Sequence, residues 1–104
     1  MAILNELDAA LAARRDADPA NSYTAALYAG GIGAITAKVT EEAAEVVEAA
    51  SEDNDAHLVH EVADLWFHCM VLLQSRGLDA RAVEDELARR FGISGIEEKA
   101  ARTR

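Results

Sequence analysis

Apolar residues recur along this chain at helical spacing, and no stretch alternates with the period of two that marks a strand. Ile3, Leu4, Leu7 and Leu11 share one helical face, which predicts a first helix from about Ala2 to Ala17. Asp16-Ala17-Asp18-Pro19 ends it, because a proline disfavours the α conformation in the residue before it. Ser22 to Tyr28 is a short amphipathic stretch with Ser22 as its N-cap, broken at Gly30-Gly31. A long second helix is expected from about Ile32 to Glu52, with Ile32, Ile35, Val39, Ala43, Val46, Val47 and Ala50 as its apolar stripe. The polar turn Glu52-Asp53-Asn54-Asp55 offers N-caps to a third helix, from about Ala56 to Arg76. That helix carries Leu58, Val59, Val62, Leu65, Trp66, Cys69, Leu72 and Leu73, and Gly77 closes it. Asp79 caps a fourth helix reaching about Phe91, with Val83 and Leu87 expected to face inward, and Gly92 ends it. Ser94-Gly95-Ile96-Glu97 reads as a capping box that opens a short C-terminal helix.

The expected architecture is therefore all-α: an antiparallel bundle of four to five helices with two long central ones, forming a single domain over residues 1–104. The apolar surface of the third helix extends around to Phe67, almost opposite its acidic edge. That breadth points to burial against a partner chain. Trp66, Phe67 and Met70 are assigned to the core or to that interface.

Composition narrows the function classes. An apolar content of 51% excludes a disordered chain, and few aromatics with many alanines favour close-packed helices over a β-sandwich. The net charge of −9 argues against nucleic acid as a partner, because phosphate backbones call for a basic surface. It leaves phosphate ligands open, since a bound divalent cation reverses the local sign. No apolar run approaches the roughly 20 residues needed to span a bilayer, and no N-terminal stretch reads as a signal peptide. Cys69 is the only cysteine, so no disulfide forms within the chain, and a reducing, cytoplasmic setting is the simplest expectation.

The charges are unevenly distributed. Between Val39 and Ser75 there are nine acidic residues and no Lys or Arg, while Ser75 to Arg104 holds seven of the ten basic residues. Within the acidic stretch stand two motifs, Glu41-Glu42-x-x-Glu45 on the second helix and Glu61-x-x-Asp64 on the third. Residues three apart are neighbours on one helix face, and a tight turn makes the two helices antiparallel neighbours. At about 100° per residue, Glu42 and Glu45 flank the apolar stripe with Lys38 between them, whereas Glu41 and Glu48 point away. His57, Glu61, Asp64 and His68 form one line along the edge of the third helix. A single E-x-x-E is usually solvated surface, but two such pairs at the edges of adjoining apolar faces repel one another and are costly to desolvate without a cation. Mg²⁺, or Mn²⁺, suits an oxygen-only ligand set. A di-iron bundle would call for E-x-x-H, which is absent. Isolated helix histidines are ordinarily polar edge residues, and neutral imidazole is not a preferred Mg²⁺ ligand. Lys38 lies one turn before Glu42 and could pair with a carboxylate or reach a phosphate. Arg89-Arg90 complement the end of the fourth helix. Gly30-Gly31-Ile32-Gly33 lacks the spacing of a nucleotide-binding glycine loop.

The segments Ser22-Tyr23-Thr24, Lys38-x-x-Glu41-Glu42-x-x-Glu45, Glu61-x-x-Asp64-Leu65 with His68, Arg90-x-Gly92-x-Ser94-Gly95 and Glu98-Lys99-x-x-Arg102 resemble the phosphoribosyl-ATP pyrophosphatase family in order and spacing over nearly the whole chain. The EExxE…ExxD core alone would indicate only the wider MazG-like superfamily of all-α nucleotide pyrophosphatases. The flanking segments narrow the match to the histidine-pathway enzyme. The resemblance implies hydrolysis of 1-(5-phosphoribosyl)-ATP to its AMP form and pyrophosphate, Mg²⁺ dependence, a cytoplasmic homodimer and the free-standing form without a fused cyclohydrolase. It implies Glu42, Glu45, Glu61 and Asp64 as metal ligands, with Glu41 completing the catalytic set. Lys38, Lys99 and Arg102 are the implied phosphate contacts, and Ser22, Tyr23, Thr24 and His68 further substrate contacts. The expected mechanism is in-line attack of water on the α/β phosphoanhydride, with a carboxylate as base and the cation clamping the pyrophosphate leaving group. A house-cleaning pyrophosphatase acting on (d)NTPs is the alternative. A non-catalytic helical module with an acidic face is a third reading. Trp66 departs from the small aliphatic expected in the Asp-Leu-x-x-His stretch, a packing change on the apolar side.

Overall fold

Four α-helices make up the described residues, 2–91, of a computed structural model: α1 (Ala2–Ala13), α2 (Tyr23–Ala50), α3 (Asp55–Ser75) and α4 (Ala80–Arg90). The expected short C-terminal helix, with Lys99 and Arg102, lies outside the described residues. Each N-cap predicted among the described residues is made. Ser22 Oγ accepts from the Ala25 amide at 3.2 Å, Asn54 Oδ1 from His57 at 3.1 Å and Asp79 Oδ1 from Ala82 at 3.1 Å. These caps satisfy amide donors that no helical carbonyl can reach.

The first helix stops earlier than its pattern predicts. After Ala13 the chain tightens into one 3₁₀ turn, Arg14–Asp16, and Ala17 is extended (φ −77°, ψ 162°). Asp18 Oδ1 then accepts from the Ala20 amide at 2.9 Å, and this local turn competes with helix continuation. The Tyr28 hydroxyl donates to the Leu11 carbonyl at 3.1 Å, tying the end of α1 to α2.

The break expected at Gly30-Gly31 is confined to one residue. Helical structure runs on either side of Gly31, whose φ of 79° and ψ of −174° lie in a region open only to glycine. The short stretch after Ser22 and the long second helix thus form a single kinked element.

α2 and α3 are antiparallel neighbours joined by Ser51–Asn54, and they share the most extensive packing in the fold. Leu11, Leu27, Ile35, Met70, Val71 and Ala80 form the buried core, with Leu4, Leu7, Tyr28, Phe67 and Leu72 packed against it. Met70 and Phe67 therefore belong to the core, whereas Trp66 is 53% exposed. Val83 and Leu87 do not turn inward as expected; they remain 43% and 59% exposed. The reason is how α4 is attached. Asp8 Oδ2 accepts from the Ala80 amide at 2.9 Å and Oδ1 from Gln74 Nε2 at 3.3 Å, which pins the helix by its buried N-terminal residue. Its apolar stripe instead forms one wall of a groove with Leu4, Trp66, Met70 and Leu73.

The kink supplies a stability test. Gly31→Ala places a side chain in a glycine-only conformation and should cost about 1–3 kcal/mol. Gly33→Ala, at a helical position with open space around it, should gain about 0.5–1 kcal/mol. Urea unfolding of the two variants checks both signs.

Candidate metal centre

α2 and α3 run in opposite directions from their connecting turn, so residues equally distant from it face each other. Glu45 stands level with Glu61, and Glu42 with Asp64 one helical turn further on, to within a residue in each case. Glu45, Glu48 and Ala49 of α2, Glu52 of the connecting turn, and His57 and Glu61 of α3 line one cavity of about 240 Å³, so one carboxylate of each acidic motif, Glu45 and Glu61, opens onto the same space. On α2, Glu41, Glu42 and Glu45 offer oxygens that all lie within 4.8 Å of one another, and His60, Glu61 and Asp64 do the same on α3.

The members differ in burial. Glu42 and Glu61 are 5% and 8% exposed, Glu45 and Asp64 are half-buried, and Glu41 is exposed, as its outward projection predicts. Each buried carboxylate has one oxygen partnered and one bare. Lys38 Nζ stands 3.4 Å from Glu42 Oε1, and His57 Nε2 stands 3.2 Å from Glu61 Oε1. Glu42 Oε2 and Glu61 Oε2 are fully buried and have no hydrogen-bond partner among the described residues. A buried polar atom without a partner costs about 1–3 kcal/mol, more when charged.

Local electrostatics carry the same message. Burial, and then Glu45 alongside, push the Glu42 carboxyl above its ordinary 4.5, with Lys38 offsetting only part of this. At Lys38 burial works against the charge, but the hydrogen bond to Glu41 at 3.3 Å and the one to Glu42 hold its pKa above the usual lysine value. Glu41, Glu42 and Glu45 together carry more negative charge than Lys38 neutralises. Two bare buried oxygens and half-buried carboxylates on two facing helices fit a hard, oxygen-seeking divalent cation, with Glu42, Glu45, Glu61 and Asp64 as the residues that would hold it.

The remaining sequence-assigned residues fall into two groups. His68 is buried, with Nδ1 2.7 Å from the Asp64 carbonyl and Nε2 2.8 Å from the Tyr23 hydroxyl. A carbonyl only accepts, so Nδ1–H donates to Asp64 and Nε2 accepts from Tyr23. The start of α2 is thereby linked to the turn that carries Asp64. Thr24 is buried beside this link, and Ser22 caps the helix. Lys99 and Arg102 lie outside the described residues.

Three further groups stand at these carboxylates: His57, which the helical projection placed in line with Glu61 but gave no role, His60 and Glu52. His57 bridges Glu52 (Nδ1 to Oε1, 2.8 Å) and Glu61, and His60 Nε2 lies 3.4 Å from Asp64. The spacing of four between each histidine and its carboxylate was readable as helical neighbourhood. The role of Glu52 was not, because it sits past the end of α2, where helical periodicity no longer places a side chain.

The family described as phosphoribosyl-ATP pyrophosphohydrolase matches residues 4–91. A phosphoribosyl-ATP pyrophosphatase of Neisseria meningitidis serogroup C is 50% identical over 101 residues, covering 97% of this chain and 94% of the relative. One from Azoarcus sp. strain BH72 is 51% identical over 100 residues, covering 96% and 94%. One from Methylococcus capsulatus is 49% identical over 102 residues, covering 98% and 97%. The match takes in both acidic motifs and the elements that position them, and the chain belongs to the phosphoribosyl-ATP pyrophosphohydrolase family.

Proposed function

We propose that this protein hydrolyses 1-(5-phosphoribosyl)-ATP to 1-(5-phosphoribosyl)-AMP and pyrophosphate, the second step of histidine biosynthesis, with Mg²⁺ as cofactor. The observation that carries the reading is the pair of buried carboxylates on facing helices, each with one oxygen partnered and the other bare. Family membership, and relatives named for this substrate, supply the substrate class. Glu42, Glu45, Glu61 and Asp64 hold the cation. A cation bound there neutralises charge on the phosphate oxygens and on the pyrophosphate leaving group. Glu41, the exposed member of the α2 cluster, is the carboxylate left to take the proton of the attacking water. Lys38 can give up its contact with Glu41 for a substrate phosphate while keeping the one with Glu42. Lys99 and Arg102 contact further phosphates, and Ser22, Tyr23, Thr24 and His68 form the wall that meets the rest of the substrate.

The protein acts as a single-domain homodimer in the cytoplasm. No helix of the described residues is long and apolar enough to cross a membrane. Exposed Trp66, Val83 and Leu87 beside the α4 groove form the kind of apolar surface that a second copy covers.

Three measurements test this reading. Glu61→Ala and Asp64→Ala should each abolish turnover of phosphoribosyl-ATP with the helical circular-dichroism signal retained. Activity surviving in both would refute the ligand set, and preferential turnover of dCTP would refute the substrate. A second test uses the raised pKa of Glu42. A carboxyl shifted upward on folding favours the fold below its unfolded value near 4.5, and this contribution is lost as pH rises through the folded value. Without divalent cation, Glu42→Gln should therefore raise stability at neutral pH, by about 1–3 kcal/mol, with little change at pH 4. The stabilisation that Mg²⁺ gives the wild type should shrink as pH falls, because protons compete for the ligands. Thermal unfolding with and without Mg²⁺ reads both. Third, Trp66→Glu should convert the dimer to monomer in size-exclusion chromatography.

A further inference from the structure

The two buried carboxylates are held in the same way by different residues. On α2, Lys38 stands four residues before Glu42 and takes its Oε1. On α3, His57 stands four residues before Glu61 and takes its Oε1 through Nε2 at 3.2 Å. In both cases Oε2 is the oxygen left buried and without a partner among the described residues. Like Lys38, which also reaches Glu41 at 3.3 Å, His57 bridges two carboxylates: its other ring nitrogen, Nδ1, lies 2.8 Å from Glu52 Oε1, and because ionised carboxylates only accept, the ring holds both by donating from Nδ1–H and Nε2–H. Glu52, His57 and Glu61 all line the cavity onto which Glu45 also opens.

We infer that His57, oriented by Glu52, is a positioning residue that fixes the Glu61 carboxylate so that its Oε2 is the oxygen presented to a divalent cation. This rests on the metal reading proposed above and assigns His57 and Glu52 a role in it. The physical argument concerns rotation. The terminal torsion of a glutamate is broad and nearly two-fold, so either oxygen of a free carboxylate can face the cavity and neither is held there. A donor on Oε1 removes that freedom before the cation arrives, and partners that orient a ligand in this way commonly govern affinity as strongly as ligands do. The ring needs its own anchor because it is more exposed than the carboxylate it holds, with side-chain exposures of 40% and 10%. Glu52 provides that anchor from the turn between α2 and α3. Its backbone amide donates to the Ala49 carbonyl at 3.1 Å, which fixes it against the end of α2. His57 thus joins the α2 end of the cavity to the α3 ligand.

The test uses Mn²⁺ as the probe, with binding measured by calorimetry and by the loss of the free-ion electron paramagnetic resonance signal. His57→Ala should weaken Mn²⁺ binding about 10- to 100-fold. His57→Gln, which restores an N–H near the position of Nε2, should recover most of the loss. Glu52→Ala should weaken binding in the same direction and add little in the His57→Ala background, because the two residues act through one contact. In the turnover assay the Mg²⁺ activation curve should move to higher concentration, while KM for phosphoribosyl-ATP at saturating Mg²⁺ stays unchanged. Wild-type Mn²⁺ affinity in His57→Ala would overturn the proposal, as would a raised KM with metal affinity intact, which would make His57 a substrate contact. Additive losses in the double variant would overturn the role of Glu52. Glu61→Ala separates this proposal from the reading beneath it. If wild type and Glu61→Ala alike fail to bind Mn²⁺, the metal reading falls and this proposal with it. If wild type binds, Glu61→Ala does not and His57→Ala binds normally, only the positioning role falls.

Discussion

Two carboxylate oxygens, one on each of two facing helices, are buried with nothing among the described residues to accept from. Glu42 Oε2 and Glu61 Oε2 set the terms for everything around them. An ionised carboxylate out of water must be protonated, hydrogen-bonded or shared with a cation. Burial already pushes Glu42 toward the protonated form. The nearby positive and hydrogen-bonding groups, Lys38 and His57, are each spent on the opposite oxygen of the same carboxyl. A helix interface built for stability alone would place apolar side chains or alanine at these positions, and the arrangement fits the shared cation of the proposed function.

Much of this was legible in the chain. The N-caps Ser22, Asn54 and Asp79, the long helix pair and the inward edge of Glu42 and Glu61 all follow from local rules of spacing and hydrogen bonding. The outward position of Glu41 followed from projection alone. The misses share a cause. Periodicity says that Val83 and Leu87 form an apolar face but not which surface covers it, and the Asp8 carboxylate that pins α4 by its first residue is a contact across 72 positions of sequence. Likewise the spacing of His57 and Glu61 showed that they could meet, while the choice of oxygen, and the anchor from Glu52, depend on side-chain directions that no periodicity encodes.

The segment around Ser22-Tyr23-Thr24 illustrates the difference between a motif and its mechanics. As sequence it served to narrow a family. In the structure Tyr23 reaches across to His68, and His68 reaches back to the carbonyl of Asp64, so the start of α2 is fastened to the helical turn that carries a proposed ligand. Any contact that Tyr23 makes with a substrate is then felt at Asp64 through two hydrogen bonds. This gives the motif a physical reason to accompany the acidic pairs.

The helix pair is divided along its length. The core residues of α2 and α3, namely Leu27, Ile35, Met70 and Val71, lie toward the end nearest Gly31 and Ser75. From Thr36 to Phe67 the only buried residues are Glu42, Ala49 and Glu61. Two of those three are the carboxylates, and the third is the smallest side chain with a Cβ, which lets the helices approach without adding much apolar burial. Val47 and Val59, in the same half, remain 73% and 68% exposed. One end of the pair is therefore held by fully buried hydrophobic packing, while at the end that carries the acids the apolar side chains Val46, Leu58 and Val62 are only half-buried. On the proposed reading, a cation shared by α2 and α3 supplies there what Met70 and Val71 supply at the other end.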